Sequence, residues 1–170
     1  HDEVRRREQV SHEVEALQQK LEQQRNESAA MLTVYEGALE TALNTFLKTD
    51  DGENLLQGFR RANNILTQAE ERDGVEYSYG ANAKFAETEE ERALFAALDA
   101  AEPQIAAALE AEDFAGAMAA MARLRAPIDA FFETVQVNAE NAVIRRNRLN
   151  LLSRIRATCR QVADLARLEG

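Results

Sequence analysis

Apolar residues in this chain recur at three- and four-residue intervals almost from end to end, which is the period of an α-helix. Val10, Val14, Leu17 and Leu21 open the pattern with 4-3-4 spacing. It weakens at Gln24 and Ser28 and resumes with Leu32, Tyr35, Leu39, Ala42, Leu43 and Phe46. Residues 3–48 are therefore predicted as one long helix or two stacked ones. Such a seam suits pairing with another helix. An amphipathic stripe commonly faces its own domain, however, and that plainer reading is preferred. Asp50-Asp51-Gly52 reads as a turn. A second helix is predicted from about Glu53 to Arg72, with Leu55, Phe59, Ala62, Leu66 and Ala69 on one face and Asp73-Gly74 as its stop.

The period is lost over residues 74–87, which hold Tyr77, Tyr79, Gly80 and Asn82 and read as a loop packed by its own aromatics. Thr88 with Glu91 three positions on is a capping box that starts a third helix, carrying Leu94, Phe95 and Leu98. Pro103 should break, kink or restart it, and Ile105 and Leu109 continue its apolar face. Asp113 is a suitable N-cap for a helix through Arg125, packed by Phe114, Met118, Met121 and Leu124. Met at this spacing reads as core filler before binding surface. Pro127 opens a short helix with Ile128, Phe131, Phe132 and Val135, residues 136–141 connect, and a last helix runs from about Ala142 to Leu168. Its stripe is Leu152, Ile155, Cys159, Val162 and Ala166. Helices joined by short loops predict an all-α fold, a helical bundle over residues 49–170 with a long N-terminal helical arm over residues 1–48.

Composition agrees. The 170 residues are 45% apolar, include two prolines and seven glycines, and lack tryptophan. The opening His1 in place of Met suggests a piece of something longer. Net charge is −10, which argues against nonspecific nucleic-acid binding. The sum hides a polarity. Residues 141–170 hold seven arginines and no lysine and carry +5, whereas residues 86–113 carry −8. At 100° per residue, Arg145, Arg156, Arg160 and Arg167 fall within about 60° of one another on the flank of the last helix. Guanidinium groups suit bidentate phosphate contacts and stacking on bases. The plainer reading pairs them with the acidic third and fourth helices. Arg148 differs, because its helical angle points into the apolar stripe. A buried arginine needs an acid or carbonyl groups, and Asp129 is the candidate partner. Arg60, Arg61 and Asn64 point away from the apolar face of the second helix, with Asn63 at its edge, where they could meet base edges or phosphates or simply be hydrated.

Autonomous catalysis lacks a constellation. Cys159 is the sole cysteine and sits mid-stripe, so no intrachain disulfide or multi-cysteine zinc site is possible and the thiol should be inert. A reducing, cytoplasmic setting fits. His1 and His12 belong to no metal-ligand pattern, and no phosphate-binding glycine loop or nucleophile elbow is present. No catalytic residue, metal or cofactor is expected in the chain. No stretch is apolar enough to span a bilayer, and neither a membrane nor DNA is an expected partner.

Four stretches carry a family resemblance. They are Thr49-Asp50-Asp51-Gly52-Glu53-Asn54-Leu55-Leu56; Arg61-Ala62-Asn63-Asn64-Ile65-Leu66; Ala126-Pro127-Ile128-Asp129-Ala130-Phe131-Phe132-Glu133 with Val135 and Val137-Asn138; and Arg145-Arg146-Asn147-Arg148-Leu149 with Leu151-Leu152. Val162-Ala163-Asp164-Leu165 fits as well. Their order and spacing over roughly residues 45–170 resemble the C-terminal region of the bacterial glycyl-tRNA synthetase beta subunit, which is similar to the anticodon-binding helical domain of arginyl-type synthetases. The resemblance implies a domain that binds the anticodon arm of glycine tRNA. It implies as partners the alpha subunit, which holds the ATP-dependent aminoacylation site, and the rest of the beta subunit, in an assembly of two alpha and two beta subunits. The candidate tRNA-binding residues are Arg60, Arg61, Asn64, Arg145, Arg146, Arg156 and Arg160. Asp129, Phe131, Phe132, Asn147 and Arg148 are the candidate structural motif. The alternative is a helical protein-interaction or oligomerisation module working through the 10-14-17-21 seam.

Overall fold

A computed structural model of the chain describes residues 2–78 and 80–162. Among them are six α-helices and no strand. These are α1 (Asp2–Leu47), α2 (Asp50–Asp73), α3 (Glu89–Glu110), α4 (Phe114–Ala122), α5 (Arg125–Thr134) and α6 (Ala142–Arg160), with a 3-10 turn at Ala83–Phe85 between α2 and α3. The chain divides into two units, one up to Glu40 and one from Thr41 onward.

In the first unit the 4-3-4 seam is exposed. Val10, Val14, Leu17 and Leu21 are 46–66% exposed. Asp2–Leu47 form a single helix rather than two stacked ones.

The second unit begins eight residues before the expected boundary at 48/49, because Leu43 and Phe46, in the last turns of α1, are buried there. Helix α2 also starts earlier than predicted. Thr49 is its N-cap, its side chain accepting from Gly52 N at 3.1 Å, so Asp50-Asp51-Gly52 is the first helical turn and not a free turn. The glycine is required by close approach, since a Cβ there would lie 2.0 Å from the Phe46 carbonyl oxygen. At the other end Gly74 adopts φ 66°, and its N–H donates to the Glu70 carbonyl, stopping α2 as expected. All five predicted core positions of α2 are buried.

Helix α3 starts at the predicted capping box. It runs unbroken through Pro103, contrary to a break or restart. Asp99 and Pro103 both lie on its exposed side, where water can serve the carbonyl that the proline leaves without a donor. Asp113 caps α4, donated to by Gly116 N at 2.9 Å, but α4 ends at Ala122 rather than Arg125. Helix α5 begins at Arg125 and holds Pro127 within its first turn, where an N–H has no intrahelical acceptor in any case. Helix α2 packs on α5 and α6, and α3 packs on α4, α5 and α6. Phe59, Leu98, Ile128, Phe131, Leu152 and Ile155 close the common core with essentially no exposure. Each buried side chain of this size contributes roughly 1.5–3 kcal/mol. Cys159 is wholly buried, and burial pushes its thiol up to about 12, leaving it unreactive.

Candidate nucleic-acid interface

The arginines of α6 are sorted by the acids around them. Arg148 is the buried one, and its partner is Glu91, not Asp129. Its Nε donates to Glu91 Oε1, its Nη1 donates to the Gln136 carbonyl at 2.8 Å, and Glu87 lies 3.6 Å from Nη2. Glu91 is 1% exposed and serves twice, because its other oxygen accepts from Glu87 N and Thr88 N in the capping box. One carboxylate thereby ties the start of α3 to the middle of α6. Asp129 instead pairs with Arg125 one helical turn earlier, at 3.3 Å, and Arg125 also donates to Asp51 at 3.1 Å.

Arg154 is held by Asp99 and Glu102, so the pairing with the acidic third helix is present at that position. Arg145 and Arg156 pair elsewhere, with the C-terminal end of α2. Arg145 Nη2 lies 2.8 Å from Asp73 and Arg156 Nη1 3.2 Å from Glu70. Tyr77 completes the first of these networks, donating its hydroxyl to Asp73 at 2.6 Å and accepting from Arg145 at 3.4 Å. The phenol and then the guanidinium hold the Asp73 carboxyl below its usual range, while the Asp73 hydrogen bond and then burial push the phenol up.

Arg146 and Arg160 differ from all of these. Both are exposed, and no described residue forms an ion pair or hydrogen bond with either side chain. They lie along one groove between α6 and the segment that follows α2. Its roomiest described part, about 630 Å³, is lined by Tyr77, Phe85, Val143, Arg146, Asn147 and Asn150 among others. A smaller continuation shares Tyr77, Arg146 and Asn150 and adds Val75 and Glu76. The end of the groove is lined by Val75, Glu76, Arg156 and Arg160. Asn147, 4% exposed, positions the wall, because its Oδ1 accepts from Asn82 N at 2.8 Å and docks the 80–85 segment onto α6.

The α2 candidates are not brought to this groove. Arg61 lies over the Phe132 ring, 4.7 Å from its centroid, beside a separate shallow depression lined by Asn54, Gln57, Asp129 and Glu133. Phe132 meets the buried Phe131 edge-on at 5.4 Å. Arg60 is half-buried and Asn64 is exposed on the same helix, and neither lines either depression. Arg167 and Ala166 lie outside the described residues. Sequence reasoning missed Phe85 and Asn150. Asn150 left a trace, as a second amide three positions after Asn147 in a run that is otherwise buried, whereas Phe85 sits in a loop with no periodicity to betray its side.

Among the described residues no group of acids, histidines and cysteines is placed to hold a metal ion, and no helix is long and apolar enough to cross a membrane. The profile of the DALR anticodon binding domain family matches residues 55–168. The glycine–tRNA ligase beta subunit of Dinoroseobacter shibae is 79% identical over 129 residues, which cover 76% of this chain and 18% of that protein. Its counterpart in Cereibacter sphaeroides is 77% identical over the same share of each. That of a Ruegeria species is 69% identical over 76% of this chain and 19% of its own length. The chain thus spans about a fifth of the length of the curated relatives it matches.

Proposed function

The chain belongs to the DALR anticodon-binding domain family, and from that premise we propose that it is the tRNA-gripping end of a glycine–tRNA ligase beta subunit, with the α6 groove receiving the anticodon arm of glycine tRNA. The observation that carries the reading is a pair of guanidinium groups that no described residue engages, Arg146 and Arg160, spaced along one groove in a molecule of net charge −10. Arginines can hold a phosphate backbone while polar groups between them read unstacked loop bases. The acidic remainder repels RNA elsewhere and restricts its register. Arg145 and Arg156, committed to Asp73 and Glu70, shape the groove wall, and Arg60, Arg61 and Asn64 stand outside it.

As part of such an enzyme the chain contributes recognition, while the ATP-dependent attachment of glycine belongs to an alpha subunit, in a cytoplasmic assembly of alpha and beta chains. The test is titration with glycine tRNA against the same tRNA carrying a swapped anticodon. Affinity at least about tenfold weaker for the swapped tRNA is expected from loss of base-edge contacts. Equal affinity for the two would sink the reading.

A second role is favoured by one observation, the exposure of Val10, Val14, Leu17 and Leu21. We assign that stripe to helix pairing within the assembly. Sedimentation of the chain carrying Val14→Asp and Leu17→Asp should show loss of self-association or of subunit binding with RNA affinity unchanged. Unaltered assembly would discard this role.

A further inference from the structure

Asn150 has no evident structural duty. It is 8% exposed, lies on α6 and lines both the roomiest part of the groove and its smaller continuation. No described residue makes a hydrogen bond with its side chain. Its polar atoms are not among the buried ones left without a partner, so they meet solvent in the cleft and are available to a ligand. One helical turn away, Asn147 spends its oxygen on Asn82 N, while its Nδ2 donates to no described residue. Two amide groups therefore meet one cleft with donor capacity unspent. The rim above them is apolar. Phe85 is 40% exposed and Val143 is 53% exposed, and both line the same cleft. Arg146 lies on its lip. A polar floor of amides, a flat aromatic wall and a cation at the mouth match the three parts of an unpaired nucleotide, namely its pairing edge, its face and its phosphate. The volume of about 630 Å³ falls within the range of roughly 300–1,000 Å³ typical of small-ligand clefts.

We propose that this cleft takes a single flipped-out base of the anticodon loop, that Asn150 reads its pairing edge and that Phe85 stacks on its face. A carboxamide offers one acceptor and one donor side by side. Cytosine presents the complement, an exocyclic amino donor beside the N3 acceptor, and the glycine anticodons end in two cytosines. Asn150 Oδ1 would accept from the amino group while Nδ2 donates to N3. This assignment rests on the anticodon reading above and adds to it which side chains confer the specificity.

The test is a coupling measurement on the whole chain. The probe is a short RNA stem-loop carrying the glycine anticodon loop, together with versions in which each loop base in turn is removed to leave an abasic sugar. Asn150→Ala should weaken binding of the intact stem-loop about tenfold, as expected for one lost base-edge pair. It should cause no further loss with the stem-loop that is abasic at one of the two cytosines. Phe85→Ala, at the end of the 3-10 turn, should couple to that same position. Losses that add at every loop position, for both variants, would overturn the assignment. If Asn150→Ala does not fold, the Phe85→Ala coupling decides alone. Binding of the unaltered chain that ignores the anticodon would defeat the anticodon reading and this inference together. Anticodon-dependent binding without coupling would defeat this inference only.

Discussion

Helix α6 carries two populations of arginine, and their neighbours separate them more than their positions do. On the α3 side, Arg148 and Arg154 are fixed by Glu91, Asp99 and Glu102, with Arg148 and Glu91 only 9% and 1% exposed at the side chain. On the groove side, Arg146 and Arg160 reach solvent and no described carboxylate pairs with either, although Glu76 lines the same groove. Arg145 and Arg156 lie between these extremes, half-buried and paired with α2. A net charge of +5 over residues 141–170 therefore overstates the cationic surface. Several of those charges serve as fasteners, and the ones left over define where an anion can dock.

The sharpest way to break this comparison is to remove a fastener. Glu91→Ala leaves the buried Arg148 with only the exposed Glu87 at 3.6 Å and the Gln136 carbonyl, and takes away half of the capping box. Breaking a buried pair from one side costs about 3–5 kcal/mol, so a large fall in urea midpoint and melting temperature is expected. Arg148→Ala should approach the same loss. A melting temperature unchanged in both would show that the clamp is ornamental. The next step down is Arg154→Ala. Its partners are more exposed, Asp99 at 67% and Glu102 at 34% of the side chain, so solvent screening reduces the loss to about 1 kcal/mol. A loss as large as that of Glu91→Ala would erase the ranking by burial.

How far the sequence discloses this arrangement depends on whether a feature is local. The capping box at Thr88, the Asp113 cap, the Gly74 stop and the buried stripe of α6 each depend on residues a few positions apart, and the chain shows them directly. That Arg148 turns inward is also local, since it follows from helical angle. Which acid meets it is not, because Glu91 lies 57 residues away and only the packing of α3 on α6 brings them together. The same holds for the groove. It exists because Asn147 captures Asn82, 65 residues earlier, and a loop without period gives no sign of where it will fold back. The start of α2 was misjudged for another reason. Asp-Asp-Gly is a turn by composition, but Thr49 caps it and the close passage of Phe46 demands the glycine, so the same residues begin a helix.

The free arginines sharpen the comparison from the other side. Arg146→Ala and Arg160→Ala should leave the stability within about 0.5 kcal/mol of the parent, as surface substitutions do. Each should nonetheless weaken binding of the glycine stem-loop and reduce the slope of log affinity against log salt by about 1. Unfolding curves and a salt series on the same samples check both halves. A destabilised variant with an unchanged salt slope would place these residues among the fasteners.

The most discriminating prediction concerns Asp73. Its carboxyl is held below the usual range by the Tyr77 hydroxyl and then by Arg145. A depressed carboxyl contributes stability that is present above its unfolded value, about 3.9, and is lost as pH falls through the folded value. The stability gap between the parent chain and Asp73→Asn should therefore be constant around neutrality and close as pH drops below about 4. Urea midpoints measured down the acid range would follow it, and a gap that ignores pH would show that the carboxylate is not the group being held. The same substitution moves a residue from one arginine population to the other. With Asp73 neutral, Arg145 keeps its bonds to Asn138 and Tyr77 but no longer faces a charge. It then becomes a groove cation like Arg146, and the salt dependence of stem-loop binding should steepen by up to about 1 in slope. A slope that stays put would mean that Arg145 is turned away from the RNA whatever its partner, and that the line between fasteners and grips is drawn by direction and not by pairing.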